Sequence, residues 1–234
     1  MRHRIVSLVP SLTEWLVALG LEDELVGITT FCVHPPHLKS RITKVGGTKN
    51  PNIDRIRELQ PTVVVLNKEE NRPEDADALS EFTTLLVTEI SSVTQAWEEM
   101  KRIARYFGKS EDRANELHSL WERIQKPGNN ASVLYLIWRN PWMAAGSETY
   151  ISSVLEHLGY QNVLKNEKRY PQLTQEQLME LSPNYVFLSS EPYPFKKQHL
   201  EEVQHLFPNS NVVLVDGEKY SWYGERMSWV EELL

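Results

Sequence analysis

Five aromatic residues lie in loops that follow predicted strands in the second half of the chain. They are Trp138, Trp142, Tyr170, Trp222 and Tyr223. Tryptophan and tyrosine combine a rigid apolar ring with one polar atom, which suits stacking on a flat organic ligand. The five rings therefore predict an aromatic surface that binds a ligand. The alternative is that the rings close the ends of a hydrophobic core.

Two arginines, Arg139 and Arg226, occupy the same loops. A guanidinium can bind a carboxylate or phosphate through two parallel hydrogen bonds, so either residue is a candidate for gripping an acidic group of the ligand. The alternative for each is a structural ion pair with Glu69, Glu70 or Glu191.

His34 is the candidate ligand or metal contact in the first half of the chain. Pro35 and Pro36 follow it and hold the backbone extended, so that the imidazole can project from its loop. A histidine in this position can bind a metal or donate a hydrogen bond. A purely structural histidine is the alternative.

The sequence lacks the motifs of several common enzyme classes. It contains no G-x-S-x-G nucleophile elbow, no P-loop, no G-x-G-x-x-G and no H-E-x-x-H. His34 with Glu69 or Glu70 could form an acid–base pair, but nothing in the sequence orients such a pair. We therefore expect a binding protein and not an enzyme.

The composition is that of a soluble globular protein. The 234 residues are 41% hydrophobic and 24% charged, and the length is sufficient for two α/β lobes. A net charge of -7 argues against a nucleic-acid partner, and no apolar run reaches the ~18–20 residues of a membrane helix. The single cysteine, Cys32, excludes an internal disulfide and is expected to be packed. We expect a monomer that is not embedded in a membrane.

An internal repeat organises the chain. Residues 52–66 match residues 174–188, with Pro61 aligned to Pro183 at an offset of 122. Each copy has a capping residue, a short helix with an acid in its first turn, a proline that ends the helix, and a buried strand. The repeat predicts two similar α/β lobes.

The elements around the repeat predict the fold class. Strands alternate with helices in both halves, which indicates a parallel sheet flanked by helices in each lobe. Helices predicted at residues 91–107 and 111–125 would join the lobes as a rigid backbone helix. We therefore predict an N-terminal lobe at residues 1–91, a helical connector at residues 92–127 and a C-terminal lobe at residues 128–234. The ligand is expected in the cleft between the lobes, beyond the carboxyl ends of the strands.

The order and spacing of four segments resemble a known family. Residues 7–20, 27–36, 45–56 and 170–176 resemble the helical-backbone class of ABC-importer solute-binding proteins, which take cobalamin, haem and iron–siderophore complexes. The resemblance covers nearly the whole chain. It implies a binding protein that takes a corrinoid or another metal chelate as its ligand, without a covalent cofactor, and delivers it to a membrane permease.

The same resemblance implies roles for individual residues. Asp54 and Glu176 match the two acids that dock on arginines of the permease, and helix-terminal charges are the alternative for both. His34 and Tyr170 match aromatic positions that contact the corrin in cobalamin binders. Arg226 matches the arginine of the closing loop.

The chain departs from the cobalamin pattern at Thr48, a ligand-contact position where that pattern has tryptophan. It also departs at the start, because residues 1–4 lead directly into a predicted strand without an export signal. The resemblance implies a periplasmic or extracytoplasmic location. If Met1 is the native start, we expect instead a cytoplasmic corrinoid- or metal-handling protein or enzyme that uses His34 with Glu69 or Glu70.

Overall fold

The computed structural model describes residues 2–124 and 126–233. These residues divide into two compact units. The first comprises the described residues of Met1–Ile90, Gln95–Ser119 and Tyr223–Glu225, and the second those of Ser91–Thr94, Leu120–Trp222 and Arg226–Leu234. The structure thus groups Gln95–Ser119 with the first unit, and the predicted boundaries at residues 91 and 127 stay predictions.

The elements of the first half alternate between strand and helix, with a 3-10 turn at Glu22–Glu24. In chain order they are β1 (Ile5–Ser7), α1 (Pro10–Ala18), β2 (Leu25–Ile28), α2 (Leu38–Arg41), β3 (Thr43–Lys44), α3 (Ile53–Glu58), β4 (Val63–Asn67), α4 (Pro73–Ser80) and β5 (Thr84–Thr88). Two helices follow, α5 (Val93–Tyr106) and α6 (Asp112–Arg123).

The second half continues the alternation and ends in a 3-10 helix at Glu225–Leu233. Its elements are β6 (Ser132–Trp138), β7 (Trp142–Ala144), α7 (Tyr150–His157), β8 (Gln161–Asn162), β9 (Gln172–Leu173), α8 (Gln175–Glu180), β10 (Tyr185–Ser189), α9 (Lys197–Leu206), β11 (Asn211–Val215) and α10 (Gly217–Ser221). No helix within the described residues combines the length and apolarity that crossing a membrane requires.

The first sheet has the order β3-β2-β1-β4-β5, and its paired strands are parallel. β1 lies at the centre and all of its residues are buried, as expected for a strand covered on both faces. Buried side chains of β1 and β4 pack with Ile56 of α3 and Leu79 of α4. The carboxyl ends of these strands therefore lie at one edge, where their loops meet.

The second sheet has the order β11-β10-β6-β7-β9, with β8 also paired to β6. β8, β6, β10 and β11 are parallel, which confirms the predicted parallel sheet. β7 and β9 extend it with antiparallel pairings that the sequence did not predict. β8 pairs with the start of β6 and β7 with its end, so two short strands share one side of β6.

The predicted repeat is confirmed at the level of single elements. α3 and α8 are related by the offset of 122 residues, and so are β4 and β10. Gly20 and Gly159 follow α1 and α7 with φ of 72° and 83°, the left-handed backbone expected of helix C-caps. The fold class predicted from the sequence is therefore the one observed.

The two helices predicted between the halves are present as α5 and α6. The apolar face predicted on the first of them is buried throughout. Its members are Val93, Ala96, Trp97, Met100, Ile103 and Ala104. Helical spacing of apolar residues was a sufficient signal here, because a single stripe of the helix packs inward.

Candidate functional site

Asn71 connects the strand-end loops of the first unit. Its Nδ2 donates hydrogen bonds to the carbonyl oxygens of Leu8 (3.2 Å) and Thr48 (3.0 Å), which follow β1 and β3. Its Oδ1 accepts from the backbone N–H of Asn67 at the end of β4 (2.9 Å). One buried amide thus fixes three loops at the edge where ligands bind in parallel α/β sheets.

The predicted contacts of the first unit lie at this edge. His34 follows β2 and Thr48 follows β3, and both are half-buried. Phe31, which the sequence analysis did not single out, lies in the same loop as His34 with 58% of its surface exposed. Its ring lies against Gly47, where an added Cβ would come within 3.1 Å of Phe31 Cε2. The sequence could have identified Phe31 as a candidate, because it is an aromatic residue three positions after the end of β2.

Cys32 belongs to the same loop and is buried, as expected for a packed thiol. Its Sγ lies 3.1 Å from Thr13 Oγ1 and 3.2 Å from Thr29 Oγ1. Burial raises the pKa of the thiol, an effect that these hydrogen bonds partly oppose. Burial also lowers the pKa of Lys44, whose Nζ has no hydrogen-bond partner among the described residues.

In the second unit, Trp138 ends β6 and has 37% of its surface exposed. Its ring makes an edge contact with the ring of Tyr193, 5.7 Å between centroids. The neighbouring Arg139 donates to Glu202 Oε1 from Nη2 (2.6 Å) and Nε (3.1 Å). Arg139 therefore makes an ion pair, with Glu202 and not with one of the three predicted acids, and a ligand contact by Arg139 stays a prediction.

Two of the five predicted aromatic contacts are buried. Trp142 is 8% exposed and its ring is nearly parallel to that of Phe195 within the core of the second unit. Tyr223 is 4% exposed and belongs to the first unit. Trp142 therefore closes the end of the hydrophobic core, because neighbouring side chains cover most of its ring. A ligand contact by either residue stays a prediction.

Tyr170 and Trp222 are half-buried and remain candidates for stacking. Arg169 Cζ lies 6.0 Å from the centre of the Tyr170 ring. Trp222 Nε1 donates to Glu191 Oε1 (2.8 Å), a carboxylate that also accepts from Ser221 Oγ (2.9 Å). Burial raises the pKa of Glu191. The sequence analysis named Glu191 only as an ion-pair partner and missed its contact with Trp222.

Arg226 is 2% exposed and lies within the second unit. Its Nη1 pairs with Glu218 Oε2 (3.2 Å), and its Cζ lies 3.8 Å from the ring centre of Trp229 and 5.3 Å from that of Trp222. The ion pair considered as an alternative exists, but Glu218 replaces the predicted partners. Direct contact between Arg226 and a ligand stays a prediction.

The two predicted docking acids occupy equivalent, exposed positions in the first turns of α3 and α8. Asn52 caps α3 through the N–H of Arg55 (2.9 Å), and Thr174 caps α8 in a reciprocal capping box. Hydrogen bonds from its own backbone N–H and from Thr174 lower the pKa of Glu176. Both Asp54 and Glu176 are thus presented to solvent at the start of a capped helix.

His34 is also the candidate metal ligand predicted from the sequence. Within the described part of the chain, no three His, Cys, Asp or Glu side chains are grouped so that they could hold a metal ion. A contribution of His34 to a metal as a single ligand stays a prediction.

The sequence of this chain is similar to those of known binding proteins. The family model described as "Periplasmic binding protein" matches residues 5–206. An uncharacterized ABC transporter substrate-binding lipoprotein of Bacillus subtilis is 27% identical over 198 residues, which cover 78% of this chain and 62% of that protein. The chain therefore spans less than two thirds of this relative's length.

Solved structures with the same fold include two binding proteins. A periplasmic heme-binding protein from Roseiflexus sp. RS-1 has a TM-score of 0.81 and 18% identity, covering 100% of this chain and 97% of that one. The periplasmic vitamin B12 binding protein of Vibrio cholerae has a TM-score of 0.77 and 21% identity, covering 99% and 94%. At these identities the likeness is one of fold.

Proposed function

Because this chain belongs to the periplasmic binding protein family, we propose that it is the substrate-binding protein of an ABC importer. The observation that carries the proposal is the family match over residues 5–206. The relatives described above bear the names of binding proteins, which favours binding over the alternative of an enzyme that uses His34 with Glu69 or Glu70.

The proposed ligand is a corrinoid or another metal chelate, such as haem or an iron–siderophore complex. Fold relatives are named for binding vitamin B12 and heme. Aromatic rings that are at least partly exposed lie in the loop after β2, at the end of β6, before β9 and after α10, and flat macrocycles stack well on such rings. These rings are Phe31, Trp138, Tyr170 and Trp222. We propose that ligand-contacting side chains are among these rings.

The proposed partner is an ABC permease, contacted by Asp54 and Glu176. Two observations support this role for Asp54 and Glu176. Both are exposed acids at the start of a capped helix, and the repeat makes their positions equivalent. Exposed carboxylates of this kind suit electrostatic docking on basic residues. The proposed place of action is outside the cytoplasmic membrane.

The ligand proposal is tested by titration with cyanocobalamin, haemin and a ferric siderophore, followed by thermal denaturation and calorimetry. At a ligand concentration of ~100 times Kd, binding should stabilise the native chain by ~2.7 kcal/mol. Tyr170→Ala and Trp222→Ala should weaken the affinity by about tenfold each, since each removes a stacking ring. Tyr106→Ala is the matched control, because this ring is 42% exposed but lies on α5. If none of the three compounds stabilises the wild type, the proposed ligand class is wrong.

A further inference from the structure

The carboxylate of Glu191 joins two segments of the second unit. Glu191 follows β10, and its Oε1 accepts hydrogen bonds from Ser221 Oγ (2.9 Å) and Trp222 Nε1 (2.8 Å). Ser221 ends α10 and Trp222 is the next residue. A single carboxylate oxygen therefore receives both donors at the end of α10.

Glu191 is itself held in place by its surroundings. Ser189 Oγ donates to the carbonyl oxygen of Glu191 (2.5 Å) and accepts from the hydroxyl of Tyr135 (3.2 Å). Gly217, the first residue of α10, leaves room for the Glu191 side chain. A Cβ added at Gly217 would lie 2.5 Å from both Glu191 Cγ and Ser189 Oγ, well inside van der Waals contact. The position of the carboxylate thus depends on a residue without a side chain.

The Trp222 ring is contacted from a second direction by Arg226. The guanidinium carbon lies 5.3 Å from the ring centre, within the range of a cation–π interaction. Glu218 and the Trp229 ring fix that guanidinium in turn. The indole is therefore held at its N–H by Glu191 and near its ring by Arg226.

We propose that Glu191 is a positioning residue that sets the orientation of the Trp222 ring at the strand ends of the second unit. The effect on ligand affinity rests on the proposed function, in which Trp222 stacks on the ligand. The orientation of the ring does not rest on it, since the hydrogen bond lies within one unit. A charged acceptor makes this bond stronger than one between neutral groups.

The charge environment makes the bond sensitive to pH. Burial raises the pKa of Glu191; Glu218 and Asp216 raise it as well, while hydrogen bonds from Ser221 and Trp222 oppose the shift. Tyr135 on β6 also interacts electrostatically with the carboxylate, and Arg226 contacts the Trp222 ring. As the pH falls through this raised pKa, the carboxylate gains a proton and becomes a weaker acceptor for the indole N–H. A glutamine at this position keeps an acceptor oxygen but cannot titrate.

The test follows the indole N–H resonance of Trp222 by NMR in 15N-labelled protein, with Trp222→Phe used to assign it. Between about pH 8 and about pH 4, a range that reaches below the ordinary glutamate pKa, the wild-type resonance should move along a single titration curve. In Glu191→Gln it should stay constant, and in Glu202→Gln, a control carboxylate paired with Arg139, it should titrate as in the wild type. A wild-type resonance that does not titrate, or one that titrates equally in Glu191→Gln, would overturn the proposal.

A second measurement connects the ring to binding. Wild-type affinity for cyanocobalamin or haemin should fall about tenfold more than that of Glu191→Gln over the same pH range, because a charged hydrogen bond is lost only in the wild type. Equal falls would show that ring orientation does not govern affinity. If neither compound binds the wild type, the proposed function fails while the NMR result still decides the role of Glu191.

Discussion

At the scale of residues, polar groups near the strand ends are held in networks within each unit. Cys32 lies between two threonine hydroxyls, and Arg226 lies between Glu218 and two indole rings. Each network buries a reactive or charged group together with its partners, which offsets the cost of removing it from water. We therefore expect the Cys32 thiol to be shielded from reagents and Arg226 to contribute to the free energy of unfolding.

Cys32 should be protected from thiol reagents in the native chain. Its side chain is 0% exposed, and burial raises its pKa, which keeps the thiol protonated and unreactive as the pH approaches the ordinary value for cysteine. At about pH 8, the reaction with a disulfide reagent should be at least ~100-fold slower in buffer than in urea. Because the chain has one cysteine, Cys32→Ala gives the blank. Equal rates in buffer and urea would contradict the buried position.

Substitutions of Arg226 and Arg139 compare how much a buried and a partly exposed ion pair contribute to the free energy of unfolding. Arg226→Met should lower the free energy of unfolding by about 2–4 kcal/mol, because Glu218 loses its partner and two rings lose a cation. Arg139→Met should cost less than ~1 kcal/mol, since Arg139 and Glu202 are both partly exposed. Urea denaturation of the two variants measures the difference. Similar losses in both would show that the Arg226 network is not especially stabilising.

The burial and the partners of the aromatic and basic candidate residues could not be predicted from the sequence. The sequence predicts these aromatic residues in loops that follow strands, whereas Trp138 is the last residue of β6 and Trp142 the first of β7. It did not distinguish exposed Trp138 from buried Trp142, four residues apart. That distinction depends on Phe195, which packs against Trp142 from a segment distant in sequence. The partners of Arg139 and Arg226 were missed for the same reason.

At the scale of elements, the repeated helix–strand pairs were predictable because their ends carry local signals. Capping residues start α3 and α8, and prolines stop both helices before β4 and β10. β7 and β9 were not predicted. They are three and two residues long; β7 pairs with the adjacent β6, but β9 takes its hydrogen bonds from β7, about thirty residues earlier in the chain. Strands this short have no periodicity of their own to read.

The loops that follow β1, β3 and β4 should depend on Asn71. Asn71→Ala leaves the carbonyls of Leu8 and Thr48 and the N–H of Asn67 without this partner, and should lower the free energy of unfolding by about 2–4 kcal/mol. Asn184→Ala is the control, because Asn184 is an exposed asparagine that bonds to Ser132 and should cost about 1 kcal/mol. Chemical denaturation compares them, and equal costs would contradict the role given to Asn71.

At the scale of the whole molecule, the duplication places an exposed acid at two equivalent positions. The acids lie in the first turns of α3 and α8, and each helix also ends in an exposed glutamate, Glu58 and Glu180, related by the same offset. The helices therefore provide matched acids at both ends, of which only those at the start are proposed to dock on the permease.

Asp54→Lys and Glu176→Lys should each reduce ligand uptake by about tenfold or more in cells that contain the cognate permease, because reversed charges repel basic docking residues. Ligand affinity of the isolated protein should not change. Glu58→Lys and Glu180→Lys alter net charge equally and should support near-normal uptake. Loss of uptake in all four variants would indicate a general charge effect, and the assignment of Asp54 and Glu176 would then be wrong.

The lengths of the edge strands determine where aggregation through intermolecular β-pairing can begin. Among the described strands, β3 and β9 close one side of each sheet and are two residues long, so they offer almost no template for another chain. β5 and β11 close the other sides with five residues each, and α9 packs on β11. Aggregation of a partly unfolded molecule should therefore begin at β5 or β11, where intermolecular β-pairing has the longest available edge.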